Sequence, residues 1–169
     1  MKKLHLLFLV LVCLGYLNSA KGQVNYLQNF DTNSGSYTVF SRFTGATACG
    51  GSGGSMRKNI YSSGTSGAMV SPQVGTSLGG LTTISFDYKV ANWSANTTGT
   101  SGNWGNFVVQ YGATASGPWT NIATVDQNNH VVSGSCANKS FTFTPSAGAL
   151  FIRFNATYGT TGDYYLNFD

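Results

Sequence analysis

The chain of 169 residues carries nine Lys or Arg against five acidic residues, a formal charge of +4, and only 8% of its side chains are charged. All five acids are aspartates, and His5 and His130 are the two histidines, so the groups that acid–base catalysts and zinc sites draw on are scarce. This composition argues against most enzyme chemistries and favours a binding or structural protein.

The chain opens with Lys2 and Lys3, an unbroken apolar run from Leu6 to Leu14, and then Ala20-Lys21-Gly22, with small residues at the first and third positions before a cut. That order is expected of an export signal over residues 1–22, leaving Gln23 as the first mature residue and a secreted or cell-surface protein. The apolar run is too short to span a bilayer as a helix, and no later segment approaches its hydrophobicity, so no membrane insertion is expected. Cys13 follows Val12 where a lipoprotein cysteine would follow a small residue, and is read as ordinary signal sequence. Cleavage removes Lys2, Lys3 and Lys21 from the nine basic residues, so six face the five acids. A charge near +1, on basic residues scattered apart from Arg57-Lys58, gives no footprint for nucleic acid. Residues 23–169 suit a single domain. Cys49 and Cys136 remain, and in an oxidising compartment they are expected to form a disulfide; two separately buried thiols are the alternative.

Gly, Ser, Thr and Asn dominate after Gln23, and no stretch carries helical periodicity, so strands are the expected regular structure. In chain order the pattern predicts strands at Tyr26–Phe30, Tyr37–Phe43, Arg57–Tyr61, Ala68–Ser71, Thr82–Ala91, Trp104–Tyr111, Trp119–Asp126, Lys139–Thr144, Leu150–Tyr158 and Tyr164–Phe168. Two alternate most cleanly. Ile84, Phe86, Tyr88 and Val90 share one face against Ser85, Asp87 and Lys89, and Leu150, Ile152, Phe154 and Ala156 share another against Phe151, Arg153 and Asn155. Gly45–Ser55 and Asn92–Asn103 read as long polar loops, and Ala115-Ser116-Gly117-Pro118 as a tight turn. Short strands with Gly-rich turns describe an all-β fold, an antiparallel β-sandwich of jelly-roll type. Nothing turn-like follows Phe168, so the last strand is expected to be incomplete at Asp169 and the domain truncated there.

Motifs for catalysis are weak. Gly50-Gly51-Ser52-Gly53-Gly54 fits the G-x-S-x-G pattern, with Asp87 or Asp126 and His130 in hydrolase order, but no helix follows to hold the serine in a strained turn. A glycosidase needs two placed carboxylates, and no motif places the aspartates. Asp31 and Asp169 flank the first and last predicted strands, where two hard oxygen donors plus loop carbonyls would suit calcium; two solvated strand-end aspartates are the alternative. Trp93, between Asn92 and Ser94 in a polar loop, is the best placed aromatic for stacking on a sugar or a partner, with Asn96 and Trp104 near it in sequence. Trp119 is read as packing, and His130 as a surface polar residue.

From Ser85 onward, SFDYKVANWS, GNWGNFVVQYGATASGPWTNIATVDQNNHVVSGSCANKSFTFTP and LFIRFNATYGTTGDYYLNFD resemble a jelly-roll module of secreted and surface proteins of Bacteroidetes-type bacteria, MAM-like or galactose-binding-like and often in type IX-secreted proteins. CGGSGGSMRKNIYSS extends the resemblance through the middle. It implies a non-catalytic adhesion or binding module of a larger protein, recognising an extracellular glycan or surface protein, with structural calcium between the acids at Asp31 and Asp169. A spacer domain and an accessory domain of an extracellular hydrolase are the alternatives.

Overall fold

The computed structural model describes residues 24–45, 49 and 53–169; the expected export signal and most of the Gly50–Gly54 motif lie outside these residues. The strands are β1 (Ser41–Thr44), β2 (Gly54–Ile60), β3 (Gly67–Val70), β4 (Gly75–Ser77), β5 (Thr82–Asn92), β6 (Ala95–Gly99), β7 (Gly105–Gly112), β8 (Thr120–Asp126), β9 (Ala137–Phe143), β10 (Gly148–Tyr158) and β11 (Tyr164–Phe168). They form two antiparallel sheets packed as a jelly-roll sandwich. One runs β1-β2-β11-β5-β6, with β9 also on β5; the other runs β3-β10-β7-β8, with β4 also on β10.

The strong alternations become the facing layers. Phe86, Tyr88 and Val90 of β5 and Leu166 and Phe168 of β11 point inward from the first sheet, against Phe107 and Val109 of β7 and Leu150, Ile152, Phe154 and Ala156 of β10. Phe168 sits with its ring centroid 4.9 Å from both Phe107 and Phe154, and Phe86 sits 4.9 Å from Phe154. Burying each ring stabilises the fold by about 1.5–3 kcal/mol, and each well-oriented aromatic pair adds about 0.5–1.5 kcal/mol.

Several expectations are corrected. Tyr26–Phe30 is not a strand, and only Ser41–Thr44 of the segment beginning at Tyr37 joins the sheet. Phe30, Ser36 and Val39 all have positive φ, which breaks an extended ladder, although Phe30 still buries its ring edge-on to Tyr37. β3 and β4 share one edge of β10, interrupted where Pro72 removes a backbone donor; Ser71 and Val74 keep bonding to Ile152 and Leu150 across the gap. The expected loop from Asn92 to Asn103 is largely a hairpin, because β5 runs on to Asn92 and β6 folds back on it.

Lys89 points away from the core, as its alternation requires, yet is only 2% exposed, and Ser55 and Asn167 on the same outer face are also buried. The disulfide Cys49–Cys136 forms as expected and ties the β1–β2 connection to the start of β9, on the far side of β11 and β5. Closing a loop of 87 residues stabilises the fold by about 2–5 kcal/mol through the unfolded chain. Burial, and then the neighbouring Arg57 charge, push the Lys89 ammonium below its usual range. The Arg57 guanidinium is held between two rings, 3.5 Å from the centre of Phe43 and 3.9 Å from that of Tyr165.

His130 is a half-buried plug rather than a surface residue. Nε2 lies 3.1 Å from the Thr100 carbonyl, which only accepts, so it carries the proton; Nδ1 then accepts from the Tyr88 hydroxyl at 3.0 Å. The same hydroxyl accepts the Val131 N–H at 2.9 Å, and the imidazole stands edge-on to Trp104. Desolvation is the main cause that lowers the His130 pKa from 6.5; the Thr100 bond opposes it and Lys139 adds to it. Below pH 6.5 the unfolded chain therefore binds more protons than the folded one, and this residue's contribution to stability falls as pH drops towards the folded-state pKa. An NMR titration of the imidazole is expected to give a midpoint below 6.5, with the stability gap between wild type and His130→Gln narrowing in acid. A midpoint at or above 6.5 contradicts the neutral plug.

Candidate ligand-binding face

The residues singled out in the sequence do not form one cluster. Asn92 ends β5, Trp93 stands 55% exposed at the hairpin tip with its N–H donating to the Asp163 carbonyl at 2.9 Å, and Asn96 lies in β6. Trp104 is fully buried, packed on Phe107 and His130, so it belongs to the core and is removed from the ligand-contacting set. Asp126 and His130 do not converge as an acid–base pair. The Asp126 carboxylate accepts the Asn128 N–H at 2.8 Å, while the imidazole turns to Tyr88 and Thr100.

A different set of residues comes together on the outward face of the second sheet. The pleat that sends Phe107, Val109, Ile152 and Phe154 inward sends Val108, Gln110, Phe151, Arg153 and Asn155 outward. Across the strands, Val70, Arg153, Gln110 and Asn121 form one row, and Ala68, Asn155, Val108 and Thr124 form the next. Phe151 pairs with Gly112, and the indole of Trp119 lies over that glycine. A Cβ at position 112 would come within 2.9 Å of the Pro118 carbonyl and 3.1 Å of Trp119 Cε3, so the missing side chain is what seats the ring on the strand. The turn that delivers Trp119 closes with Thr114 Oγ1 donating to the Gly117 carbonyl at 2.6 Å.

This face mixes polar side chains with aromatic and aliphatic ones. Gln110 Nε2 donates to Asn121 Oδ1 at 2.8 Å, and Arg153 Nη2 donates to Asn155 Oδ1 at 3.1 Å. The Arg153 guanidinium carbon stands 5.5 Å from the Trp119 ring centre. Gln110 Oε1 and Arg153 Nε have no hydrogen-bond partner and are buried beneath their neighbours. Trp119 packs, as expected from the sequence, but on the outward face over Gly112; the signal for that placement was its position after Gly117-Pro118 together with the glycine at 112, but pairing these needs the β7–β8 register and its irregularity at Val109/Gln110.

Asp31 and Asp169 do influence one another. Desolvation, then the Asp31 and Asp87 charges, push the Asp169 carboxyl up to about 6, and Asp169 Oδ1 has no partner. Asp87 and Asp169 exchange backbone hydrogen bonds of 2.7 and 2.8 Å between β5 and the end of β11. Asp31 Oδ2 accepts from Asn29 Nδ2 at 2.7 Å, and Asp87 Oδ1 from Asn138 Nδ2 at 2.9 Å. Among the described residues no three His, Cys, Asp or Glu side chains converge at metal-ligand spacing. The donors fit a hard cation in kind, with mutually repelling carboxylates and one uncommitted oxygen, and further ligands would have to be carbonyls or water.

No protein-family model and no curated protein matches the chain. Among solved structures, it is similar to one described as CBM4 structure and function, with a TM-score of 0.51 and 12% identity over 83% of this chain and 95% of that one. It is also similar to the N-terminal CBM22-1–GH10 modules of endo-1,4-β-D-xylanase 10B from Clostridium thermocellum, solved with xylohexaose, with a TM-score of 0.53 and 19% identity over 88% of this chain and 28% of that one. At these identities the shared property is the fold.

Proposed function

We propose that the chain is a non-catalytic carbohydrate-binding module that works outside the cell, and that it takes a glycan along the outward face of β7 and β10. The observation that carries this reading is the patch of Phe151, Gln110, Arg153 and Asn155 on β7 and β10, with the Trp119 ring laid beside them over Gly112. An aromatic face supplies apolar area to the C–H side of a pyranose, and neighbouring amides and a guanidinium satisfy its hydroxyls without any ionisable catalyst. The likeness to carbohydrate-binding folds supports it. The disulfide and the expected signal support export. The module reading fits a larger secreted protein in which several weak sites act together.

The test is isothermal titration calorimetry against plant and microbial polysaccharides, with circular dichroism to confirm folding. Trp119→Ala is expected to weaken binding by about tenfold or more, the loss of one stacked aromatic, while Trp93→Ala leaves it nearly unchanged. The reverse pattern would move the site to the hairpin. A folded protein that binds no glycan would favour the spacer alternative.

Calcium held by Asp31 and Asp169, joining the segment before β1 to the end of β11, belongs to the same proposal. Its support is the repulsion that Asp31 and Asp87 exert on Asp169, whose Oδ1 has no partner and whose charge a divalent cation would offset. Calcium is expected to raise the melting temperature and a chelator to lower it, with Asp31→Ala insensitive to both. Identical melting curves in calcium and chelator would leave the aspartates as solvated strand ends.

A further inference from the structure

The charges of the two outward faces differ in a way that bears on which glycan is taken. The first sheet's outward face carries both signs, Asp87 and Asp169 with Lys89 and Arg57, and Asp31 acts on Asp169. On the second sheet the ionised group at the centre is Arg153. The nearest acid in that sheet's register, Asp126, pairs with Asn106, two rows and two strands away from Arg153, and its carboxylate is engaged by the Asn128 N–H. At a spacing of roughly 6.7 Å per two residues along a strand and about 4.8 Å between strands, that separation exceeds a Debye length at physiological salt. Among the described residues, Arg153 has one side-chain hydrogen bond, to the neutral Asn155.

We infer that the face is built for an acidic polysaccharide, with Arg153 pairing the carboxylate of a uronic acid residue while Trp119 and Phe151 take the ring of that sugar or its neighbour. This rests on the glycan-binding reading of the same face and names its substrate class. The geometry of the group favours a carboxylate. A guanidinium presents N–H donors as a planar fork that matches the two carboxylate oxygens, and it does so best where bulk water is thinned by flanking rings. Nη2 donates to Asn155, so the amide fixes the plane of the guanidinium; Nε is buried, so the donors left to meet a carboxylate end-on are those of the two η nitrogens. A neutral sugar leaves the positive charge uncompensated on a partly dehydrated surface. Net charge is not the attraction, because the mature chain is nearly neutral.

The experiment compares polygalacturonate and alginate with the same polymers after reduction of their carboxyl groups to primary alcohols, with neutral xylan and mixed-linkage glucan, and with dextran sulfate as a plain polyanion. The native uronates are expected to bind about tenfold or more tighter than their reduced forms, a difference of one charge-assisted contact. Arg153→Met should erase that preference, bringing native and reduced polymers to the same affinity, and Arg153→Lys should restore only part of it. Equal affinity for native and reduced polymers, or a preference that survives Arg153→Met, overturns the inference. Dextran sulfate binding as tightly as the uronates overturns it too, since attraction would then be non-specific. Neutral glycans binding best, with Trp119→Ala still harmful, would overturn the acidic ligand and leave the binding face intact. No binding to any polymer would remove both.

Discussion

The pleat of β10 is the constraint from which the rest follows. Its alternate residues Ile152, Phe154 and Ala156 are committed to the core, where Phe154 meets Phe86 and Phe168 of the opposite sheet. A strand has two faces and a period of two, so fixing Phe154 inward also fixes Phe151, Arg153 and Asn155 outward, in register with Gln110 and Val108 of β7. A slip of one residue would bury Arg153 without a counter-ion and expose Phe154, so the aromatic clasp holds the outward row in place at high cost to any alternative. The candidate site is thereby mounted on the two central strands of a sheet, with Trp119 added from the turn before β8.

The two outward faces have been put to different uses. On the first sheet, Arg57 is stacked between Phe43 and Tyr165, Lys89 and Asn167 are buried, and the disulfide anchors the β1–β2 connection beyond them. Its polar groups serve the fold. On the second sheet the outward side chains are half-buried by one another, with Trp119 laid over Gly112 beside Phe151 and Arg153. That arrangement sets aromatic rings, a guanidinium and two amides side by side, the groups that the proposed glycan-binding face uses.

Strand alternation made much of the sandwich legible in the sequence, because β5 and β10 each bury one full side and leave the other polar, and the two surviving cysteines announced their bond. The missed elements were those whose signal is tertiary. β4 and β6 are short and polar and exist because β10 and β5 offer them an edge. Tyr26–Phe30 has a strand's composition but its positive φ at Phe30 takes it out of the ladder. At the site, Trp93 was visible by its polar neighbours, whereas Gln110 and Arg153 lie on β7 and β10, Trp119 lies just before β8, and they meet only through register. The sequence offers Trp104 as a ligand contact and His130 as a surface residue; instead Trp104 is buried against Phe107 and His130, and the imidazole is half-buried against it.

The central claim is that ligand lies across β7 and β10, and amide chemical-shift mapping of the isotopically labelled protein during titration with an oligosaccharide tests it most directly. The account predicts shifts concentrated at Val108–Gly112, Phe151–Asn155 and the Trp119 indole N–H, with the Asn92–Ala95 hairpin unmoved. Shifts confined to that hairpin, or to the first sheet's outward face, would contradict it.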